Sequence, residues 1–445
     1  MKRIMAPLLG LAAVALAACS GGDGAAPSPE PSPRATGATA SPAAATPAAS
    51  PSPAASASVA TASQPASAAL AIPAAYQATY RELDAALAQF EALIKGHDTG
   101  RIGAISTSLI IANSNRGAAL FAPGNTPVIA AYLDAVKAMG ITAVEVQISF
   151  PIMTPDFPDE ARYIAFYKNV VAMAHERGMK VLIETSCLFT GSEYTEIQFD
   201  YSRYSTASYF AGRRAQAVTI AREIRPDYIS LGEEPVNETV FAGIRFSSAE
   251  YVAYVNSTVA AVRALGGDAG RVPLGVGTGT WQADLFNDFV RDANVDFLDI
   301  HIYPLIGGGG NQLDVARRMA ASAKAKGRDV IIGESWLYKA SAAETAANPG
   351  ASTAEIFRRD AFTFWRPLEL RLIAAVLAIG REFEMPVVSF WGGLNFFRQS
   401  DWTPELDRLG YAELGARFNR DTTANIVAGK LSPLGEEAKK LFTRP

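Results

Sequence analysis

The chain has 445 residues, 49% of them hydrophobic, which is enough for one large domain with a sizeable core. Its 40 basic and 44 acidic residues leave a net charge of -4 with no broad basic face, which argues against a nucleic-acid partner. The cysteines, Cys19 and Cys187, form no disulfide framework, and the histidines, His97, His175 and His301, are dispersed without zinc-ligand spacing, so neither a metal nor another cofactor is expected.

The chain opens with a positive pair, Lys2 and Arg3, followed by a short apolar run from Pro7 to Ala18. That run is too short to span a bilayer comfortably and has the order of a secretion signal. It ends in Leu16-Ala17-Ala18-Cys19, which resembles a bacterial lipobox. The resemblance implies cleavage after residue 18 and lipidation of Cys19. The membrane would then be a partner through the anchor, and Ser20 resembles the residue that follows Cys in outer-membrane lipoproteins. Residues 19–72 are dominated by Ala, Pro, Ser, Gly and Thr, a composition that builds no core and favours an extended spacer. The expected product is an exported protein tethered to the cell envelope.

From residue 73 to 445 the character is that of a single domain. Tyr76, Tyr80, Leu83, Leu87, Phe90 and Ile94 recur at helical spacing and predict an extra N-terminal helix. Short apolar runs then alternate with longer helical patterns. The predicted strands are 102–108, 143–150, 180–185, 228–232, 272–277, 297–303, 330–333 and 387–390. Predicted helices include 127–139, 158–177, 204–224, 247–265, 313–326, 356–379 and 433–442. This alternation predicts an α/β fold, a (β/α)8 TIM barrel, whose chemistry sits at the C-terminal ends of its strands. A doubly wound sheet is the competitor, disfavoured because no Gly-rich phosphate loop follows the first strand. Cys187 reads as a small buried residue near a strand end.

Polar residues collect at the predicted strand ends. Glu233 and Glu234 follow the strand in Leu231-Gly232-Glu233-Glu234-Pro235, and Glu334 follows a buried run in Gly333-Glu334-Ser335. Carboxylates delivered there either carry a burial cost or have a job. On strands four and seven they would face one another, as a proton donor and a nucleophile must across a glycosidic bond. His301 and Tyr303 share parity, so both can face the mouth, with Tyr303 placed to hydrogen-bond the nucleophile. Trp281, Trp336 and Trp391 offer flat apolar faces suited to sugar rings. Glu184, with Gln147 and Ser149 nearby, reads as a supporting group that orients a base, binds a hydroxyl or pairs with an arginine.

These residues resemble clan A of the glycoside hydrolases, whose members place the acid/base glutamate after strand four, commonly in Gly-Asn-Glu-Pro, and the nucleophile after strand seven. The resemblance covers roughly residues 100 to 440, is nearest to the endo-galactanase-like members, and implies a retaining (β/α)8 glycosidase. It assigns Glu234 as acid/base and Glu334 as nucleophile, with Tyr303 beside the nucleophile and Trp391 in the glycone subsite. One departure stands out: Glu233 occupies the place of the asparagine that binds the sugar 2-hydroxyl. A glutamate can accept that hydrogen bond but donates one only when protonated. The expected substrate is a carbohydrate, with a neutral β-linked hexose polymer favoured, and the enzyme is expected to be a monomer. The alternatives are a carbohydrate-binding lipoprotein that keeps the barrel without turnover, and a metal-dependent or serine-type envelope hydrolase.

Overall fold

The computed structural model describes residues 71–444 apart from 193, 308 and 348–352, so the proposed signal segment, Cys19 and nearly all of the spacer lie outside the described residues. Eight parallel strands close into a barrel in the order β1-β8-β7-β6-β5-β4-β3-β2. They are β1 (Ile105–Ser108), β2 (Ala143–Phe150), β3 (Lys180–Cys187), β4 (Tyr228–Ser230), β5 (Leu274–Gly279), β6 (Phe297–Ile302), β7 (Asp329–Ser335) and β8 (Val388–Phe390). Every predicted strand is present, with ends shifted by no more than three residues. Both faces are covered, helices outside and barrel interior inside, which is why near-continuous apolar runs form these strands. A small antiparallel pair, Ile306–Gly307 with Gly310–Asn311, decorates the loop after β6.

The outer helices follow their sequence signals where those are strong. Ser205 caps the helix Thr206–Thr219 in a reciprocal box with Ser208, and Ser247 does the same with Glu250 for Ser248–Arg263. The predicted 204–224 helix ends in a π-type turn, Ile220–Ile224, closed by Arg225 at φ 55°. The predicted 356–379 helix is broken. Short helical turns occupy 353–365, and the long helix runs Arg366–Glu382 with Pro367 in its first turn. Proline has no N–H to donate and disfavours a helical residue before it, so it starts a helix rather than continuing one. The extra helix Gln77–Ile94 lies against Arg366–Glu382, with Arg371 paired to both Asp84 and Glu91.

The barrel interior is layered by the period-two alternation of its strands. Leu182, Phe297, Ile331 and Val387 form an apolar plug. Two residues further along the same strands come Glu184, Asp299, Gly333 and Ser389, all buried or without a side chain. The interior therefore turns from hydrocarbon to carboxyl within one layer. Beside this layer Arg213 is fully buried and ion-paired with Glu238. The same guanidinium donates to the carbonyls of Thr185 at 3.1 Å and Leu231 at 2.8 Å, tying the ends of β3 and β4 together. A buried pair of this kind is costly to break from one side, because the partner charge is left unpaired. Cys187 is a free, buried thiol at the end of β3 whose pKa is pushed well up by burial.

Candidate active site

Glu334 reaches the barrel mouth because of an irregularity in β7. Strict alternation from Ile331 would place Gly333 and Ser335 inward and turn Glu334 toward the helices. The pairing of β6 with β7 instead slips, so that Ile300 pairs with Ile332 but His301 pairs with Glu334. Gly333 is the extra residue of this bulge. Its N–H donates to Asp299 Oδ1 at 2.8 Å, and Asp299 Oδ2 accepts from Ser230 Oγ at 3.0 Å. A Cβ on Gly333 would lie 2.1 Å from Glu184 Oε1 and 2.5 Å from Asp299 Oδ1, so only glycine fits.

Glu234 arrives by a different device. β4 stops at Ser230, and Pro235 opens the short helix Pro235–Phe241 immediately after Glu234. Asn237, on that helix, donates its side-chain N–H to Glu234 Oε2 at 3.0 Å. The remaining oxygen, Oε1, lies 3.0 Å from His301 Nδ1. Glu334 Oε2 accepts a short bond of 2.5 Å from Tyr303 OH and lies 3.5 Å from the same His301 nitrogen. Oxygens of Glu234 and Glu334 thus stand within 4.8 Å of each other around one imidazole.

The other face of His301 meets more acid. Its Nε2 is 3.5 Å from Glu184 Oε1 and 3.7 Å from Asp299 Oδ2. Glu184 therefore partners a histidine, not an arginine. Glu145, on β2, is also buried beside this group, and burial holds its carboxyl up at about 7. Burial raises Glu184 and Glu334 well above the ordinary carboxylate range, with His301 the chief opposing influence. Burial alone would lower His301, but Glu184, Glu334 and Asp299 outweigh it and hold the ring well above its usual value. His301 is accordingly an imidazolium whose two N–H groups point into opposite carboxyl pairs. The trios Glu184, Asp299, His301 and Glu234, His301, Glu334 have the spacing that could hold a cation, and the imidazolium supplies positive charge at both.

Glu233 is fully buried next to the acid/base candidate. Its Oε1 accepts a 2.5 Å bond from Gln147 Nε2. Gln147 is oriented in turn by Asn113, whose amide donates to Gln147 Oε1 at 2.6 Å. Burial lifts Glu233 to about 8, and its Oε2 has no hydrogen-bond partner.

The aromatic residues divide. Trp391 sits beside Tyr303, ring centroids 6.1 Å apart, in a position to wall a sugar site. Trp336 is turned into the protein, its Nε1 donating to Asp360 Oδ2 at 3.1 Å and its ring packed under Gly392. Trp281 packs on Gly279 and lines a separate cleft with Asp288, Gln312 and Arg318. The sequence did not single out Phe357, which lies 5.3 Å from the Trp391 ring and 6.4 Å from that of Tyr303. Glu234 is 2% and Glu334 1% exposed. Glu145 and Asn237 were likewise missed. A glutamate at every-second-residue spacing with Gln147 and Ser149 in an otherwise apolar strand was the available signal for Glu145.

Two glutamates facing each other at the C-terminal end of a closed (β/α)8 barrel have the arrangement that glycoside hydrolases use. The chain matches the cellulase family, glycosyl hydrolase family 5, over residues 110–365, more than half its length, and belongs to that family. Among solved structures it is similar to the exo-β-1,4-mannosidase Op5Man5 from Opitutaceae bacterium strain TAV5, at 15% identity over 74% of this chain and 61% of that one, TM-score 0.48. It is also similar to a family 5 xyloglucanase from Paenibacillus pabuli, at 15% identity over 76% of this chain and 99% of the other, TM-score 0.44. A family GH5_18 protein from Bifidobacterium longum gives 14% identity, coverage of 77% and 79%, and TM-score 0.47. The chain spans about 61% of the length of the mannosidase. No curated protein matches it in sequence.

The charge arrangement has a consequence for stability. Glu145 and Glu233, raised from 4.5 to about 7 and about 8, hold protons when folded that the unfolded chain has already released. His301, also raised, acts in the same direction. The stabilisation is therefore lost as pH rises. The melting temperature is expected to fall between pH 4.5 and about 8, and Glu145→Gln to flatten that fall. Superimposable pH profiles for the variant and the parent would contradict a buried proton at Glu145.

Proposed function

We propose that the protein hydrolyses a β-linked polysaccharide or oligosaccharide with retention of anomeric configuration, Glu334 acting as nucleophile and Glu234 as acid/base. The observation that carries this reading is that Glu234 Oε1 and Glu334 Oε2 lie 3.0 and 3.5 Å from the same His301 Nδ1, which brings the two carboxyl groups close together across the mouth. Retaining glycosidases bring their carboxyl groups to about 5 Å, whereas inverting ones need about 6.5–9.5 Å to seat a water.

In the first step an oxygen of Glu334 attacks the anomeric carbon while Glu234 gives its proton to the departing glycosidic oxygen. The C–O bond breaks and a glycosyl ester forms on Glu334. In the second step ionised Glu234 takes a proton from water, whose oxygen attacks the same carbon and frees Glu334. Tyr303, whose own proton is held firmly by burial, donates to Glu334 Oε2 and favours its ionised form. His301 stabilises the same carboxylate through charge, and Trp391 supports the apolar face of the ring. The lipobox-like Leu16-Ala17-Ala18-Cys19 supports a further element of the reading, a monomeric enzyme exported and anchored in the cell envelope by a lipid on Cys19.

Incubation of the protein with galactan, mannan, xylan and β-glucans, followed by NMR of the first products, is expected to give retained configuration on the preferred polymer. Glu334→Ala and Glu234→Ala are each expected to lose on the order of 10²–10⁴-fold in rate. Inverted products, or full activity in either variant, would refute the assignment. For the anchor, labelling of the expressed chain with a radioactive fatty acid is expected to mark the parent and not Cys19→Ala, and the variant should leave the membrane fraction. Equal labelling of both would exclude Cys19 as the attachment point.

A further inference from the structure

Glu233 is a buried carboxyl, next to Glu234 in the chain, that the two-step reaction does not use. Its Oε1 is satisfied by Gln147, whose orientation is fixed by Asn113, so Oε1 is committed as an acceptor. Oε2 is buried and unpartnered. It belongs to the group formed by Glu145, Glu234, Glu334 and His301, each of which influences or is influenced by its charge.

Glu233 directly precedes Glu234 and feels the charge of both Glu234 and Glu334, so the sugar atoms to weigh as its partners are the polar ones that flank the anomeric carbon. Those are the ring oxygen, the glycosidic oxygen and the substituent on C2. The two oxygens only accept hydrogen bonds, so of these three only the C2 substituent can donate to Glu233 once its carboxyl is ionised. Contacts to that substituent are also where glycosidases gain transition-state stabilisation. Charge then selects among substituents. Buried carboxyls Glu145, Glu184, Glu233, Glu234, Asp299 and Glu334 gather about the His301 imidazolium. One more positive charge beside Glu233 is favoured there, because a charge-assisted hydrogen bond is stronger than a neutral one and the added cation offsets the repulsion among the surrounding carboxyls.

We propose that the glycone subsite takes a 2-amino-2-deoxy sugar, whose C2 ammonium is held by Glu233 Oε2, so that the substrate is a β-linked polymer containing unacetylated hexosamine. This rests on the hydrolase reading of the same site and departs from the neutral hexose polymer expected from the sequence. Without sugar, burial keeps a proton on Glu233, whose pKa stands at about 8. An arriving ammonium replaces that proton, which leaves to the buffer, so binding is accompanied by proton release.

The test uses the full-length protein with β-1,3-, β-1,4- and β-1,6-linked glucosamine tetramers and their N-acetylated and 2-hydroxy counterparts. Glucosamine tetramers of one linkage are expected to be cleaved with kcat/KM about 10- to 100-fold above the counterparts. Glu233→Gln should abolish or reverse that preference, its loss of kcat/KM on the amino sugar exceeding its loss on the 2-hydroxy sugar by about 10-fold or more. Calorimetry of the Glu334→Gln variant in buffers of different ionisation enthalpy should show protons released on binding the amino sugar and none on binding the 2-hydroxy sugar. Cleavage of the neutral tetramers in preference, with Glu233→Gln unchanged, would overturn this inference and leave the hydrolase intact. Cleavage and binding of none, by protein verified as folded, would overturn both.

Discussion

The site is organised around one buried imidazolium among carboxyl groups. His301 holds Glu234 and Glu334 on its Nδ1 side and faces Glu184 and Asp299 on its Nε2 side. Without that charge these acids could not share a desolvated space, since like charges at such distances and low dielectric repel strongly. With it, the carboxyl groups that the proposed reaction needs can share one desolvated site. The chemistry of the reaction and the electrostatics of the barrel mouth are therefore one problem with one solution.

The backbone beneath is shaped to the same end. The Gly333 bulge turns Glu334 inward, and Asp299 fixes the bulge through the Gly333 N–H and Ser230 Oγ. Arg213 and Glu238 tie the ends of β3 and β4 on the opposite side, and Asn237 sets the carboxyl plane of Glu234. Each catalytic group is thus positioned by a partner that is itself buried and fixed, which is what a near-attack geometry requires. The Phe357 ring packs beside Tyr303 and Trp391.

Much of this was legible in the residues. Buried parallel strands write themselves as short β-branched runs, so all eight could be located, and Gly-Glu endings to two of them marked Glu234 and Glu334. The parity of His301 and Tyr303 gave their common face. Other features depend on information a linear reading lacks. Trp336 and Trp281 occupy positions at strand ends like that of Trp391, yet only three-dimensional packing turns Trp336 onto Asp360 and Trp281 into a separate cleft. The bulge at Gly333 is a property of pairing with β6 and not of β7 alone. The partner of Glu184 could not be chosen between arginine and a base until His301 was brought across the barrel. Phe357 comes from a segment read as one long helix, which instead forms short turns before the long helix that Pro367 helps to start. The proposed anchor at Cys19 rests on the sequence.

The central claim is that Glu334 becomes covalently attached to the sugar while Glu234 moves the protons. The most direct measurement is intact-mass and peptide mapping of the Glu234→Gln variant, incubated with an aryl β-glycoside of the sugar released from the preferred polymer. The phenolate departs without needing a proton, while the deglycosylating water lacks its base, so the ester should accumulate. The account predicts an added mass of one glycosyl unit on the peptide carrying Glu334. Release of the aryl group with no adduct, or with the sugar on another residue, would contradict it.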